Sequence, residues 1–329
     1  MMETLEEAEL CFPHLLNASC KKTLHPRFIS TLMYIALSII CVLTTTLNLL
    51  VFISISHYKQ LHTPTNLLLL SLALSDFSIG LLMVFQVVLV EGCWYLGDAM
   101  CAFYFVLDYT FTSASIGTMV LISIDRYVAI CHPLWYCRVI TRGRMELSVS
   151  LCWLLSLLFH CVRFRENLEY LGQFNSCVGQ CVLVIDYVSG FVDLIMSFLG
   201  PVTVIVVLYL RVFTVAVSQA RAVRTHVKSF TLQCSVKVVN LRSEMKAART
   251  LGVVVVVFLL CVCPYFCIAL SGQSMALDSS SSALIIFLFY FNSCLNPLIY
   301  AAFYPWFRKT IRLIVTLQIL EPGSCDTVL

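Results

Sequence analysis

Seven apolar stretches, each long enough to cross a bilayer, constrain this chain more than any other feature. They are Phe28–Ser56, Pro64–Val90, Met100–Ile130, Leu147–Phe164, Tyr187–Phe213, Leu251–Ser271 and Ser282–Phe303. A span needs roughly 20 residues to cross about 30 Å of hydrocarbon. Inside lipid, every backbone N–H and C=O must find its partner within the protein, so such runs fold as helices. Only 12% of the 329 residues are charged, about half the share of a soluble domain. Charge cannot cover this surface, and lipid must solvate much of it. The expected fold is an all-α membrane protein, a bundle of seven transmembrane helices spanning residues 28–303. An outer tail, residues 1–27, precedes it and a cytosolic segment, residues 304–329, follows.

Orientation follows from Lys and Arg, which concentrate in cytosolic loops. One side carries Lys59, Arg138, Arg142, Arg144, a dense run from Arg211 to Arg249, and Arg308, Lys309 and Arg312. The other has Lys21, Lys22, Arg27, Arg163 and Arg165. The N-terminus is therefore expected outside, in a multi-pass plasma-membrane protein. The net charge of +3 reflects this cytosolic bias, and no nucleic-acid partner is expected. Residues Met1 to Leu10 are acidic, unlike a signal peptide, which leaves targeting to the first span. The loop from Arg211 to Thr250 has no Pro or Gly and is expected to extend helices 5 and 6 into the cytosol. Beyond Phe303, basic and apolar residues alternate to Val315, the pattern of a short eighth helix on the membrane surface.

Of 17 cysteines, six fall on the outer side: Cys11, Cys20, Cys93, Cys101, Cys177 and Cys181. An even number in an oxidising compartment implies three disulfides, for which sequence allows 15 pairings. Asn17-Ala18-Ser19 is an N-glycosylation sequon on the outer tail. No Cys/His grouping has zinc-ligand spacing.

Ionisable residues inside a span are costly and point to function. Four stand out: Asp76, Asp108, Asp125 and Asp193. Asp108 lies two helical turns, about 10 Å, below Cys101 on the same face, within reach of an outside ligand. With Arg163 and Arg165 assigned to the rim, no Lys or Arg is left in the outer half of any span. A ligand cation is then the simplest partner for Asp108, with Tyr109, Tyr265, Phe266 and Tyr290 either walling it through cation–π contacts or merely packing. In the seventh span Pro297 sits mid-helix beside Asn292 and Asn296, where it removes a backbone hydrogen bond and kinks the helix.

Several motifs together resemble the rhodopsin-like, G-protein-coupled receptor family. They are Asn48, Leu72-Ala73-Leu74-Ser75-Asp76, Asp125-Arg126-Tyr127, Trp153, Pro201, Tyr209, Pro264 and Asn296-Pro297-Leu298-Ile299-Tyr300. The stretch Asn292 to Phe307 and the loop Cys177-Val178-Gly179-Gln180-Cys181 resemble, more narrowly, the trace amine-associated receptors. That resemblance implies a receptor and not an enzyme. It also implies an amine pocket built on Asp108 and Tyr290, with Tyr109, Thr112, Tyr265 and Phe266. Activation would release Arg126 from Asp125 toward a heterotrimeric G protein of the stimulatory, olfactory type. Tyr127, Tyr209, Phe258 and Tyr300 would act in that transition. No cofactor is expected apart from an allosteric sodium ion, which would sit among Asp76, Ser115, Asn292, Ser293 and Asn296. The implied disulfides are Cys101–Cys181, Cys11–Cys177 and Cys20–Cys93. One departure stands out: Cys261-Val262-Cys263-Pro264 carries Val262 where the family usually has Trp.

Asp193 refines the ligand class. It lies about two turns outward of Pro201, at pocket depth, with Asp186 two turns further out at the rim. Two buried acids lacking a protein cation repel each other. An extended diamine of the putrescine or cadaverine type, with nitrogens roughly 6–8 Å apart, would satisfy both. The expected ligand is therefore a diamine held by Asp108 and Asp193. The alternative is a biogenic monoamine, as in a neurotransmitter receptor, using Asp108 alone. A light receptor needs a Lys in the seventh span, and there is none; a transporter built from inverted repeats finds no repeat here. At the C-terminus, Thr327-Val328-Leu329 matches the ending that PDZ domains bind by strand addition.

Overall fold

The structure, a computed structural model, describes residues 9–22, 27–90, 92–183, 185, 187–226, 252–267 and 280–326. The helices are α1 (Arg27–His57), α2 (Pro64–Val90), α3 (Asp98–Cys131), α4 (Pro133–Val139), α5 (Arg142–Arg163), α6 (Arg165–Glu169), α7 (Tyr187–Leu194), α8 (Gly200–His226), α9 (Gly252–Cys267), α10 (Ser280–Phe303) and α11 (Pro305–Val315). Among the described residues, six segments are long and apolar enough to cross a membrane, with α7 and α8 forming one of them. The shorter α9 falls inside the expected sixth span, whose ends lie outside the described residues. Among the described residues there is no strand, only isolated bridges.

Lipid-facing stripes run along the outermost helices. Leu32, Ile35, Ile39 and Val42 on α1, and Leu147, Leu151, Leu154 and Leu158 on α5, are exposed at three- and four-residue spacing, one face of a helix. The opposite faces pack inward. The long α3 is central, touching α2, α5 and α8, while α1 packs on α2 and α10.

Polar groups tie the bundle together inside. Trp153 donates Nε1–H to Ser71 Oγ at 3.0 Å, and Ser71 pairs with Thr118 at 3.0 Å. Pro297 lies within α10 and has no N–H to offer the carbonyl four residues earlier, that of Ser293. Asn48 Nδ2 donates to this carbonyl at 3.0 Å. The carbonyl that Pro297 leaves without its helical donor thus stays satisfied.

At the cytosolic end α8 continues to His226, well past the expected end of the fifth span. The rest of the long loop lies outside the described residues. The eighth helix forms as α11, with Phe307 buried and Arg308, Lys309 and Arg312 exposed. The chain then returns to the first cytosolic loop. Lys59 pairs with Asp326 at 3.0 Å, and their hydrogen bond holds the carboxyl below its usual range and the ammonium above its own. Thr327-Val328-Leu329 lies outside the described residues.

Over the outer mouth, all six expected cysteines are bonded, but two of the three pairings differ from expectation. Cys101–Cys181 forms as expected. Instead of Cys11–Cys177 and Cys20–Cys93, the bonds are Cys11–Cys93 and Cys20–Cys177. The backbone decides. The tail folds on itself, with Cys11 N–H donating to Cys20 O at 2.9 Å, which sets the two cysteines side by side. The Cys20 N–H then donates to Val178 O at 3.0 Å, and the Val178 N–H to Ala18 O at 2.7 Å. This clasp holds Cys20 against Cys177 and leaves Cys11 facing Cys93. Trp94 N–H, bonded to Gly179 O at 2.7 Å, brings the Cys93 loop to the same place.

Candidate functional site

Beneath this cap lies a cavity of about 650 Å³ bounded by α2, α3, α5, α7, α9 and α10. All seven residues expected to bind ligand line it: Asp108, Tyr109, Thr112, Asp193, Tyr265, Phe266 and Tyr290. Asp108 projects from α3 below the Cys101–Cys181 bond. The Tyr290 hydroxyl stands 3.4 Å from both of its carboxylate oxygens. This is one long, neutral contact, which leaves the charge of a carboxylate uncompensated. Aromatic rings form the wall opposite: Phe266 stacks on Phe198 with centroids 4.3 Å apart, and Tyr265 and Phe289 meet at 4.8 Å. Tyr104 and Gln86, which sequence reading missed, line the cavity and bond to each other at 2.8 Å.

Asp193 has a different environment from the one expected. It lies in the last turn of α7, just before a wide π-turn, Ile195–Leu199, a distortion frequent at functional sites. Pro201 cannot donate to the Ser197 carbonyl, which loosens the helix there. The Ser197 hydroxyl donates to Asp193 Oδ1 at 2.8 Å. The same oxygen lies 3.1 Å from Arg163 Nη1. The expectation that no arginine occupies the outer half of a span is therefore corrected. Arg163 is the last residue of α5, turned inward and lining the cavity. Its guanidinium also sits over the rings of Tyr109, at 4.9 Å, and Phe164, at 4.8 Å. A sequence signal for this existed. Trp153, Ser156, His160 and Arg163 follow one another at three- and four-residue spacing, so all four share the inner face of α5.

Below Asp108, a second cavity of about 20 Å³ is lined by Thr112, Ser115, Phe258, Val262, Tyr290, Asn292 and Ser293, among others. It lies between the upper pocket and Asp76, which is fully buried. Asn296 Nδ2 donates to Asp76 Oδ2 at 2.7 Å, and Ser115 Oγ to Oδ1 at 3.4 Å. The side-chain oxygens of Asn292 and Asn296 are buried with no donor among the described residues. Val262, at the position of the family's usual Trp, and Phe258, one helical turn earlier, are both buried.

At the cytosolic end of α3, Asp125 and Arg126 are paired, with Nε–H donating to Asp125 Oδ2 at 2.9 Å. Thr65 and Tyr136 donate to the two oxygens of Asp125 at 3.1 Å each. Tyr127 turns away, packing its ring on His132. Among the described residues, the hydroxyls of Tyr209 and Tyr300 are buried and have no hydrogen-bond partner, which leaves both with capacity should Arg126 leave Asp125. Asn17 is exposed on the outer tail.

Comparison with known proteins places this geometry. Residues 47–300 match the seven transmembrane receptor (rhodopsin family). The chain is 38% identical to trace amine-associated receptor 13c of Danio rerio, covering 98% of this chain and 96% of the relative. It is 38% identical to trace amine-associated receptor 6 of Pan troglodytes, over 97% and 95%. With trace amine-associated receptor 4 of Mus musculus the identity is 34%, over 98% and 96%. Near full-length identity at this level, on a seven-helix body with these motifs, makes the chain a multi-pass plasma-membrane receptor, not an enzyme, and a member of the trace amine-associated branch of the rhodopsin-type, G-protein-coupled receptor family.

Proposed function

We propose that this receptor responds to a protonated amine whose ammonium pairs with Asp108. One observation carries the reading: Asp108 is a pocket carboxylate whose described contact is a neutral hydroxyl at 3.4 Å. A buried charge needs a partner, and an ammonium walled by Tyr290, Tyr109 and Tyr265 supplies it with cation–π support. Binding draws the outer ends of α3, α9 and α10 together. The closed cytosolic end, held by Asp125–Arg126, then gives way to an open one that receives a G protein. The ligand achieves this only by binding the open form more tightly. By resemblance the G protein is of the stimulatory, olfactory type. Asp108→Ala should weaken the cyclic AMP response to primary amines at least ~100-fold, as expected for one partner of a buried charge pair. An undiminished response at normal surface expression would sink the reading.

A second reading, a diamine bridging Asp108 and Asp193, is favoured by the presence of both carboxylates in one cavity. It requires the second ammonium to take Asp193 from Arg163, whereas a monoamine leaves that pair intact. A sodium ion fits the donor set around Asp76: one carboxylate, the Ser115 and Ser293 hydroxyls, and two buried amide oxygens lacking donors. When bound, it would balance the Asp76 charge and hold the closed form. The C-terminal Thr327-Val328-Leu329 serves as a PDZ ligand, and Asn17 as a glycan acceptor.

A further inference from the structure

We propose that Arg163 is a specificity-determining residue of this pocket. It occupies Asp193 as an internal ion pair, so the receptor prefers a ligand with one ammonium over a diamine of the same length. The proposal rests on the amine-anchor reading of Asp108 and specifies what the far end of the ligand meets.

Three observations support it. The pair is shielded: the side chains of Arg163 and Asp193 are 4% and 10% exposed. A guanidinium cannot be deprotonated in a protein, so this is a permanent positive charge facing the cavity. Its position is fixed twice over, by the rings of Tyr109 and Phe164 beneath it and by Asp193, which Ser197 orients at 2.8 Å. Lastly, Arg163 Nε and Nη1 are buried and make no hydrogen bond among the described residues, Nη1 meeting Asp193 as an ion pair. The guanidinium thus keeps unused donors, which an ammonium, accepting nothing, cannot satisfy.

Charge balance then sets the ligand. Among the described lining residues, Asp108 and Asp193 are the acids and Arg163 is the fixed cation. One negative charge is left over, at Asp108. A second ammonium reaching Asp193 meets the guanidinium as a like charge and must either displace it or stay in water.

The test compares 1-aminopentane with 1,5-diaminopentane on cells expressing the full chain, using a G-protein dissociation sensor and surface staining. Wild type should favour the monoamine at least tenfold. Arg163→Met, uncharged and of similar length, frees Asp193 and should move the potency ratio at least tenfold toward the diamine. Adding Asp193→Asn to that variant should remove the gain, and Arg163→Lys should keep the wild-type ratio. A tenfold wild-type preference for the diamine would overturn the proposal, whether or not the variants reach the surface. So would an unchanged ratio in surface-expressed Arg163→Met. If amines act on wild type and Asp108→Asn silences them, the anchor reading stands whichever way the ratio falls. Silence of wild type toward both probes and a wider primary-amine panel overturns the anchor reading and this proposal with it.

Discussion

Asn48 and Ser293, on the first and last spans, are joined because a proline lies four residues beyond the serine. The Ser293 carbonyl lacks its helical donor, and Asn48 Nδ2 replaces it at 3.0 Å. Asn48→Leu keeps the volume but strands a buried carbonyl, at a cost of about 1–3 kcal/mol. In detergent the thermal midpoint should fall by roughly 2 °C or more. An unchanged midpoint would mean that another donor takes over this carbonyl.

Tyr290 supports Asp108 through a long, neutral contact, so its hydroxyl should matter less than the carboxylate. Removing one ordinary hydrogen bond costs about 0.5–1.5 kcal/mol. Tyr290→Phe should therefore shift the amine dose–response about 2- to 10-fold, well short of the loss in Asp108→Ala. Equal losses in both variants would show that the hydroxyl itself contacts the ammonium.

The backbone clasp between Cys20 and Val178 fixes which cysteines pair. Non-reducing peptide mapping should recover Cys11 linked to Cys93 and Cys20 linked to Cys177. Cys11→Ser should leave Cys93, not Cys177, open to thiol labelling from outside. Labelling of Cys177 instead would restore the crossed pairing.

Val262 faces a gap of about 20 Å³, too small for the extra bulk of an indole. Val262→Trp should destabilise the folded receptor by about 1–3 kcal/mol through overpacking. The measurement is the thermal midpoint of purified receptor, and a raised midpoint would show that the core opens to accept the ring.

Sodium held at Asp76 should favour the closed form. Replacing sodium chloride with choline chloride at constant ionic strength should raise agonist affinity in wild type and leave Asp76→Asn unmoved. Equal responses in the two would remove the ion from the account.

The sequence by itself determined the architecture. Lipid leaves the backbone no partner but itself, so runs of about 20 apolar residues had to be helices, and Lys and Arg fixed their direction. It also determined the depth of Asp108 and Asp193, because helical rise converts residue number into height. The eighth helix was legible for the same reason, from its alternating pattern. What only the tertiary structure decided is which groups meet sideways. Arg163 looked like a rim residue because it ends a span beside a loop. The rotation of α5 turns it inward, against Asp193 on a helix 30 positions later. The disulfides failed in the same way. Four cysteines at one mouth are equivalent in sequence, and only the hydrogen bonds from Cys20 N–H to Val178 O and from Val178 N–H to Ala18 O choose between the pairings. Charge partners and cross-links depend on rotation and strand register across segments distant in sequence, and local periodicity carries no record of either.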